Sequence, residues 1–236
     1  NLGVPEQVSA LTQNFKYNDT EDLCDLFKKY KGKVAAVIME PMNIYEPRDG
    51  YLQEVKDLCH QNESLLIFDE IVTGFRFSMG GAQELFDVIP DLATFGKVVA
   101  NGFPLSMIVG REEIMERFND IFYSLTFGGE AVSLAAAIST LEELQTKDVV
   151  GHLYRQGEKI KTFVNKAVRD LGIQENIECI GRPCLTLMKF MSDDGKDSLE
   201  LRSLFQQEVI RQGILFAVAN NLSFSHSDSD VEKTIE

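Results

Sequence analysis

Two side chains capable of covalent chemistry stand at the ends of short apolar runs. Leu65, Leu66, Ile67 and Phe68 stop abruptly at Asp69 and Glu70, and Leu92, Ala93, Thr94 and Phe95 stop at Gly96 and Lys97. Apolar runs of this length that end in charge read as buried strands of a parallel sheet. In open α/β sheets the C-terminal strand ends are where ligands sit. Asp69 and Lys97 are 28 positions apart, enough for one helical crossover between neighbouring parallel strands. A carboxylate and an amine on one sheet edge can hold a cofactor between them. The same spacing also suits an ordinary ion pair, or no contact, and spacing alone leaves all three open.

The elements that must position these groups follow from the local pattern. Asn18, Asp19 and Thr20 cap a helix that runs to about Tyr30, with acids early and lysines late. Residues 33–40 form a strand with an apolar middle that ends at Glu40 and is stopped by Pro41. A loop over 42–49 leads to an amphipathic helix over 50–61 with Leu52, Val55, Leu58 and Cys59 on one face. After the central stretch come a strand over 105–110, a short helix over 111–118 and a strand over 121–126. Thr126, Phe127, Gly128 and Gly129 then lead into a helix over 131–144. A hydroxyl and two glycines ahead of a helix N-terminus can cup a phosphate, although most such turns are only turns. A long helix over 148–171 ends at Gly172. The pattern then changes to an antiparallel strand over 184–191, a helix over 198–212, short strands over 214–218 and 221–224, and a helix capped by Ser227. The expected architecture is α/β: a mostly parallel sheet flanked by helices over residues 1–172, and a small α+β domain over 173–236.

The chain has 236 residues and a hydrophobic content of 44%, ample for a sizeable core, and its formal charge is −14. That acidity argues against nucleic acid or an anionic membrane as partner. No run approaches a membrane span and no signal-peptide pattern opens the sequence, so the expectation is a soluble, cytoplasmic protein. Cys24, Cys59, Cys179 and Cys184 are scattered, with no histidine near the Cys179–Cys184 pair, and no metal is expected. His60, His152 and His226 are far apart and read as surface or packed residues. The opening to Gln13 is polar and unpatterned and lacks an initiating methionine. The expectation is a piece of a longer protein, cut at both ends.

The ordered set FDEIVTGFR (residues 68–76), GGAQ (80–83), PDLATFGKVVANGFP (90–104) and LTFGGE (125–130) resembles the class III aminotransferases. These are pyridoxal-phosphate enzymes of fold type I, and the pattern is closest to the glutamate-1-semialdehyde 2,1-aminomutase branch. The likeness extends upstream through VAAVIMEP (34–41) and downstream over 212–230, and so covers nearly the whole chain. It implies that Lys97 forms a Schiff base with pyridoxal 5'-phosphate and later moves a proton between substrate and cofactor carbons. Such a lysine must be a free amine, which desolvation and nearby positive character favour. It implies that Asp69 pairs with the pyridine nitrogen, that Ile71 presses on the ring and that Thr126 binds a phosphate, in this family that of the neighbouring subunit. A homodimer with shared sites follows, acting on a small-molecule amino donor and a keto or aldehyde acceptor. Gln83 reads as ordering its loop, and Glu40 as a strand-end acid fixing nearby backbone.

The departures are equally specific. The family's earlier Gly-Ser-Glu phosphate loop, ring-stacking aromatic and substrate-facing N-terminal arm are not in this sequence. Many relatives have Gly-Asn-Pro where this chain has Gly129, Glu130 and Ala131, and Tyr45 stands where many amine-using relatives place a glutamate. The chain alone is therefore expected to bind cofactor weakly or not at all. Two other readings compete. LLIFDE resembles a Walker B strand, but no G-x-x-x-x-G-K-[ST] loop accompanies it. A catalytically incomplete relative kept for its fold or a partner contact is the non-enzymatic reading.

Overall fold

The computed structural model describes residues 2–123, 125–216 and 218–236. After a single turn, α1 (Glu6–Ser9), the helix α2 (Thr20–Lys29) opens at Asp19, whose carboxylate accepts the Asp22 N–H. Glu21 and Asp22 lie in its first turn and Lys28 and Lys29 in its last, opposing the helix dipole at both ends. Then follow β1 (Ala36–Met39), α3 (Tyr51–Gln61), β2 (Leu65–Asp69), α4 (Ala82–Leu85), β3 (Leu92–Phe95) and β4 (Met107–Gly110). These strands form one sheet in the order β1-β2-β3-β4, the first three parallel and β4 antiparallel to β3.

Alternation along the strands sorts the side chains. Val37 and Met39 of β1 and Leu66 and Phe68 of β2 turn to one face, where they pack with Leu23 and Phe27 of α2 and Tyr51, Leu52, Val55 and Cys59 of α3. Ile38, Ile67, Asp69 and Thr94 turn to the other face, and Ile38 is 61% exposed there. At the start of β3 the buried carboxylate of Asp91 accepts the Leu66 N–H at 2.8 Å, an Arg111 N–H at 2.8 Å and the His60 ring at 3.1 Å. Burial alone would raise the Asp91 carboxyl; these donors outweigh it and hold it below the usual carboxylate range. They also pin β2 to β3, the two strands that carry Asp69 and lead to Lys97.

The second half comprises α5 (Glu112–Met115), α6 (Ala131–Thr146), α7 (Val149–Asp170), β5 (Ile177–Arg182), β6 (Leu185–Phe190), α8 (Leu199–Arg211), β7 (Ala219–Asn221) and α9 (Asp228–Ile235). β5, β6 and β7 make an antiparallel sheet in that order. Asn165 of α7 uses its side-chain amide to bond both the C=O and the N–H of Cys179 at 2.9 Å, which satisfies the outer edge of β5. Arg76 joins the two halves: its guanidinium donates to the carbonyls of Cys184 and Leu222, each at 2.9 Å. Around it Met42 and Phe77 share a core with Leu153, Ile160, Leu185 and Val231. Among the described residues no helix is long and apolar enough to cross a membrane.

Several local expectations are corrected. The crossover from Asp69 to Lys97 is mostly irregular, with only the one-turn α4 inside it. Residues 121–123 and 125–126 form no strand, and Ser124 lies outside the described residues. Ile121, Phe122 and Leu125 are exposed, so the apolar residues that suggested a strand meet no neighbouring ladder. The helix over 111–118 is split into α5 and a 3-10 turn over Glu116–Asn119. The strand placed at 221–224 is instead β7, where Asn221 meets Leu185. No strand forms over 214–216, and Ala217 is not described. β5 was not anticipated: its irregular pattern gives no clean alternation, and its partners come from β6 and α7.

Gly157 of α7 sits where a Cβ would fall 1.7 Å from the Pro183 carbonyl oxygen. Gly157→Ala is expected to lower stability by about 1–3 kcal/mol, because helix and hairpin must part. Gly129→Ala, with open space around it, is expected to change little. Urea unfolding midpoints of the two variants check both.

Candidate active site

Parallel pairing sets Met39 opposite Phe68, and Asp69 opposite Thr94. The C-terminal ends of β1, β2 and β3 therefore deliver Glu40, Asp69 and, three residues beyond Thr94, Lys97 to one edge of the sheet. Asp69 is half-buried. Its Oδ1 accepts the Ile71 N–H at 3.0 Å and the Thr94 hydroxyl at 3.4 Å. Its Oδ2 has no hydrogen-bond partner among the described residues. The side chain is thus oriented by one oxygen and open at the other. Ile71 lies against Gly96, where a Cβ would stand 3.6 Å from the Ile71 Cγ2.

Lys97 is exposed and has φ +45, a left-handed backbone that a side-chain-bearing residue adopts at a cost of about 1–2 kcal/mol. It opens a 3-10 turn, Lys97–Ala100, whose Val99 and Ala100 are buried against Ala137 of α6. Packing of the turn on that small-residue helix holds the backbone bend, and strain of this kind concentrates at functional positions. Glu40 is exposed at this edge; partial burial pushes its carboxyl up, Asp69 pushes it further, and Lys97 pulls it down.

The second acid at the end of β2 does different work. Glu70 is fully buried. It accepts the Thr73 hydroxyl and the backbone N–H groups of Ala82 and Gln83, both at 2.8 Å, and so closes the loop between β2 and α4. Gly81, at φ +83, passes so close that a Cβ would come 2.5 Å from the Glu70 Oε2. Gln83 contributes its backbone N–H to the ordering of this loop. Sequence reasoning missed this anchor and the Thr94 contact; the Gly80-Gly81 pair after a strand-end acid was the available signal.

Thr126 lies in an exposed turn ahead of α6, on a different element from Asp69, Ile71 and Lys97. The N-terminus of α6 is already engaged. Glu130 caps it, accepting the N–H groups of Val132 at 2.8 Å and Ser133 at 2.6 Å. An anion at this turn would be met by the Thr126 hydroxyl and the turn backbone rather than by the helix end.

With this geometry in hand, the comparisons with known proteins are specific. The model of the class-III aminotransferases matches residues 3–203. The chain belongs to the class-III aminotransferase family. A glutamate-1-semialdehyde 2,1-aminomutase of Francisella tularensis subsp. holarctica is 35% identical, over 99% of this chain and 58% of its own length. One from Methanosarcina acetivorans is 34% identical over 100% and 59%. The chain therefore spans somewhat over half the length of these curated relatives. Among solved structures, the PLP internal aldimine form of the Sphingopyxis sp. MTA144 FumI protein superposes with a TM-score of 0.91 at 24% identity, over 99% of this chain and 57% of that one. A transaminase with PLP bound gives 0.88 at 20% identity, over 100% and 58%. At these identities the structural likeness establishes the fold, that of the family's α/β sheet with flanking helices.

Replacing Glu70 with Gln turns an NH₂ group toward donors that need an acceptor. Glu70→Gln is expected to cost about 1–3 kcal/mol. It is also expected to raise hydrogen exchange at the Ala82 and Gln83 amides at least tenfold relative to the β1 amides. Amide exchange by NMR reads this directly.

Proposed function

We propose that this class-III chain carries the ring-holding part of a pyridoxal-phosphate site and takes part in amino-group transfer of the aminotransferase or aminomutase type. The observation that carries the reading is Asp69, fixed through Oδ1 and free at Oδ2, at the same sheet edge as a lysine on a left-handed backbone. Asp69 would accept a hydrogen bond from the protonated ring nitrogen through Oδ2 and so keep that nitrogen protonated. Ile71, held beside Gly96, would press on the ring face. Lys97 would hold the cofactor covalently and, once released, move a proton between the reacting carbons. The cofactor, when bound, supplies an electron-poor ring that stabilises negative charge on the carbon losing its proton.

The residues fit the ring side of the group. On the phosphate side the chain offers the Thr126 turn, whose neighbouring helix end is occupied by Glu130. We assign Thr126 to the phosphate of a second copy, as the family resemblance implies, which makes the assembly a homodimer with shared sites. Support comes from the surface around that turn: Phe122 is 95% exposed, and Ile121, Leu125, Phe127, Val132 and Ile138 are exposed with it. Residues 1–172 would form the cofactor-holding domain and 173–236 a smaller domain. A small-molecule amino donor and a keto or aldehyde acceptor are the substrates.

Borohydride reduction after incubation with pyridoxal phosphate, followed by peptide mapping, tests the reading. The label is expected on Lys97 and lost in Lys97→Ala. Asp69→Asn is expected to keep the label but slow the half-reaction with an amino donor by at least about 100-fold, the scale of lost electrostatic stabilisation at a reacting centre. A label on another lysine, or no half-reaction from the saturated protein with any amino donor, would overturn it.

A further inference from the structure

One face of α7 carries His152, Arg155, Gln156 and Lys159, spaced so that all four side chains lie together. With the loop that leads into α9 they enclose a cavity of about 580 Å³, a size that suits a small molecule. The loop is fixed by its own hydrogen bonds. The Ser223 N–H donates to His226 Nδ1 at 3.1 Å, the His226 N–H to the Ser223 carbonyl at 3.1 Å, and the Ser227 N–H to the Asp230 carboxylate at 2.8 Å. His152 Nε2 donates to the His226 carbonyl at 2.9 Å, and its ring meets Phe224 edge-on with centroids 5.0 Å apart.

The hydrogen-bonding groups left over define what fits. His226 accepts through Nδ1, so its neutral ring carries the proton on Nε2, which meets no acceptor among the described residues. Arg155 spends Nη1 on Asp148 and keeps Nε and Nη2. The Ser225 hydroxyl, also in the lining, has no partner among the described residues. Against these donors stands one buried acceptor. Gln156 is 4% exposed; its Nε2 donates to Asp228 Oδ1 at 2.8 Å, and its Oε1 accepts nothing among the described residues. A buried acceptor without a donor is uncommon and costs stability until one arrives. Lys159 pairs with Asp228, so with Arg155 the lining carries one net positive charge, the histidines counted neutral, in a chain of formal charge −14.

We propose that this cavity binds a phosphate group that retains a P–OH, either free phosphate or the end of a small monoester. The phosphate oxygens take hydrogen bonds from Arg155, His226 Nε2 and Ser225, and the P–OH donates to Gln156 Oε1. Phe224 gives an apolar wall for an organic group. Sulfate has the same tetrahedral shape but no O–H, and so leaves Gln156 unmatched. The elements involved carry none of Asp69, Ile71, Lys97 and Thr126, so the inference stands apart from the cofactor reading.

The chain has three histidines, and their ring signals in carbon–proton NMR read the site directly. His60, bonded to Asp91 on another part of the fold, is the internal control. Inorganic phosphate, sulfate and methyl phosphate are each titrated at constant ionic strength and about pH 6, where phosphate and much of its monoester keep a P–OH. Phosphate is expected to move the His152 and His226 signals saturably and to leave His60 in place. Sulfate is expected to need at least about tenfold more, the scale of one buried acceptor left unpaired. Arg155→Gln, at an exposed position, is expected to raise the phosphate half-saturation at least about tenfold through loss of a charge-assisted donor. Methyl phosphate that binds as well as phosphate makes the ligand a monoester; binding of the free ion alone makes it inorganic phosphate. Shifts that never saturate, sulfate equal to phosphate, or an Arg155→Gln titration identical to the parent overturns the proposal.

Discussion

The alternation of side chains along β2 is the constraint on which the rest of the molecule depends. Successive residues of a strand point to opposite faces, so the two acids at its end cannot share a fate. Asp69 turns to the open face beside Thr94. Glu70 turns inward, loses all contact with solvent and closes the loop that leads to α4. A buried carboxylate is tolerated only when its lone pairs are met, and here two backbone N–H groups and a hydroxyl meet them. One dipeptide thus supplies both an anchored scaffold and an available acid, and a slip of one residue in register would exchange the two.

The lysine is positioned by a different device. β3 is pinned to β2 by the Asp91 network at one end and by the Asp69–Thr94 pairing at the other. The chain then leaves the strand through Gly96 into a left-handed residue, and the turn that follows is clamped by Val99 and Ala100 on Ala137. The strain at Lys97 is local and the packing that maintains it belongs to α6, 34 or more residues later in the chain. That same helix carries the Thr126 turn at its start, so Lys97 and the proposed phosphate contact are mechanically linked through one element.

The second half is joined through polar contacts to carbonyls rather than through apolar packing alone. Arg76 lies within the loop that Glu70 organises, and it reaches the carbonyls of Cys184 and Leu222 in the antiparallel sheet region. Arg182 answers with an ion pair to Glu46 at 3.0 Å. The Arg182–Glu46 pair ties the loop after β1 to the end of β5. The face bearing Ile38, Ile67 and Asp69 remains partly open, in a chain that covers 58% of its aminomutase relatives' length.

The chain sequence determined the things that depend on neighbours in sequence. Apolar runs located β1, β2 and β3, and caps at Asp19, Asp148, Ser198 and Ser227 started their helices where the residue types indicated. The ordered motifs determined the family, because a series of spaced fragments is far more restrictive than any one of them. Tertiary structure decided what depends on partners distant in the chain. It separated Asp69 from Glu70, supplied Asn165 to the edge of β5, and left the apolar residues near 121–126 without a ladder to join. It also gave the start of α6 to Glu130 and set Glu40 beside Asp69 at the sheet edge. The physical reason is that a strand or a cap is chosen by local backbone preference, whereas a carboxylate's role is chosen by the donors and charges that folding brings to it.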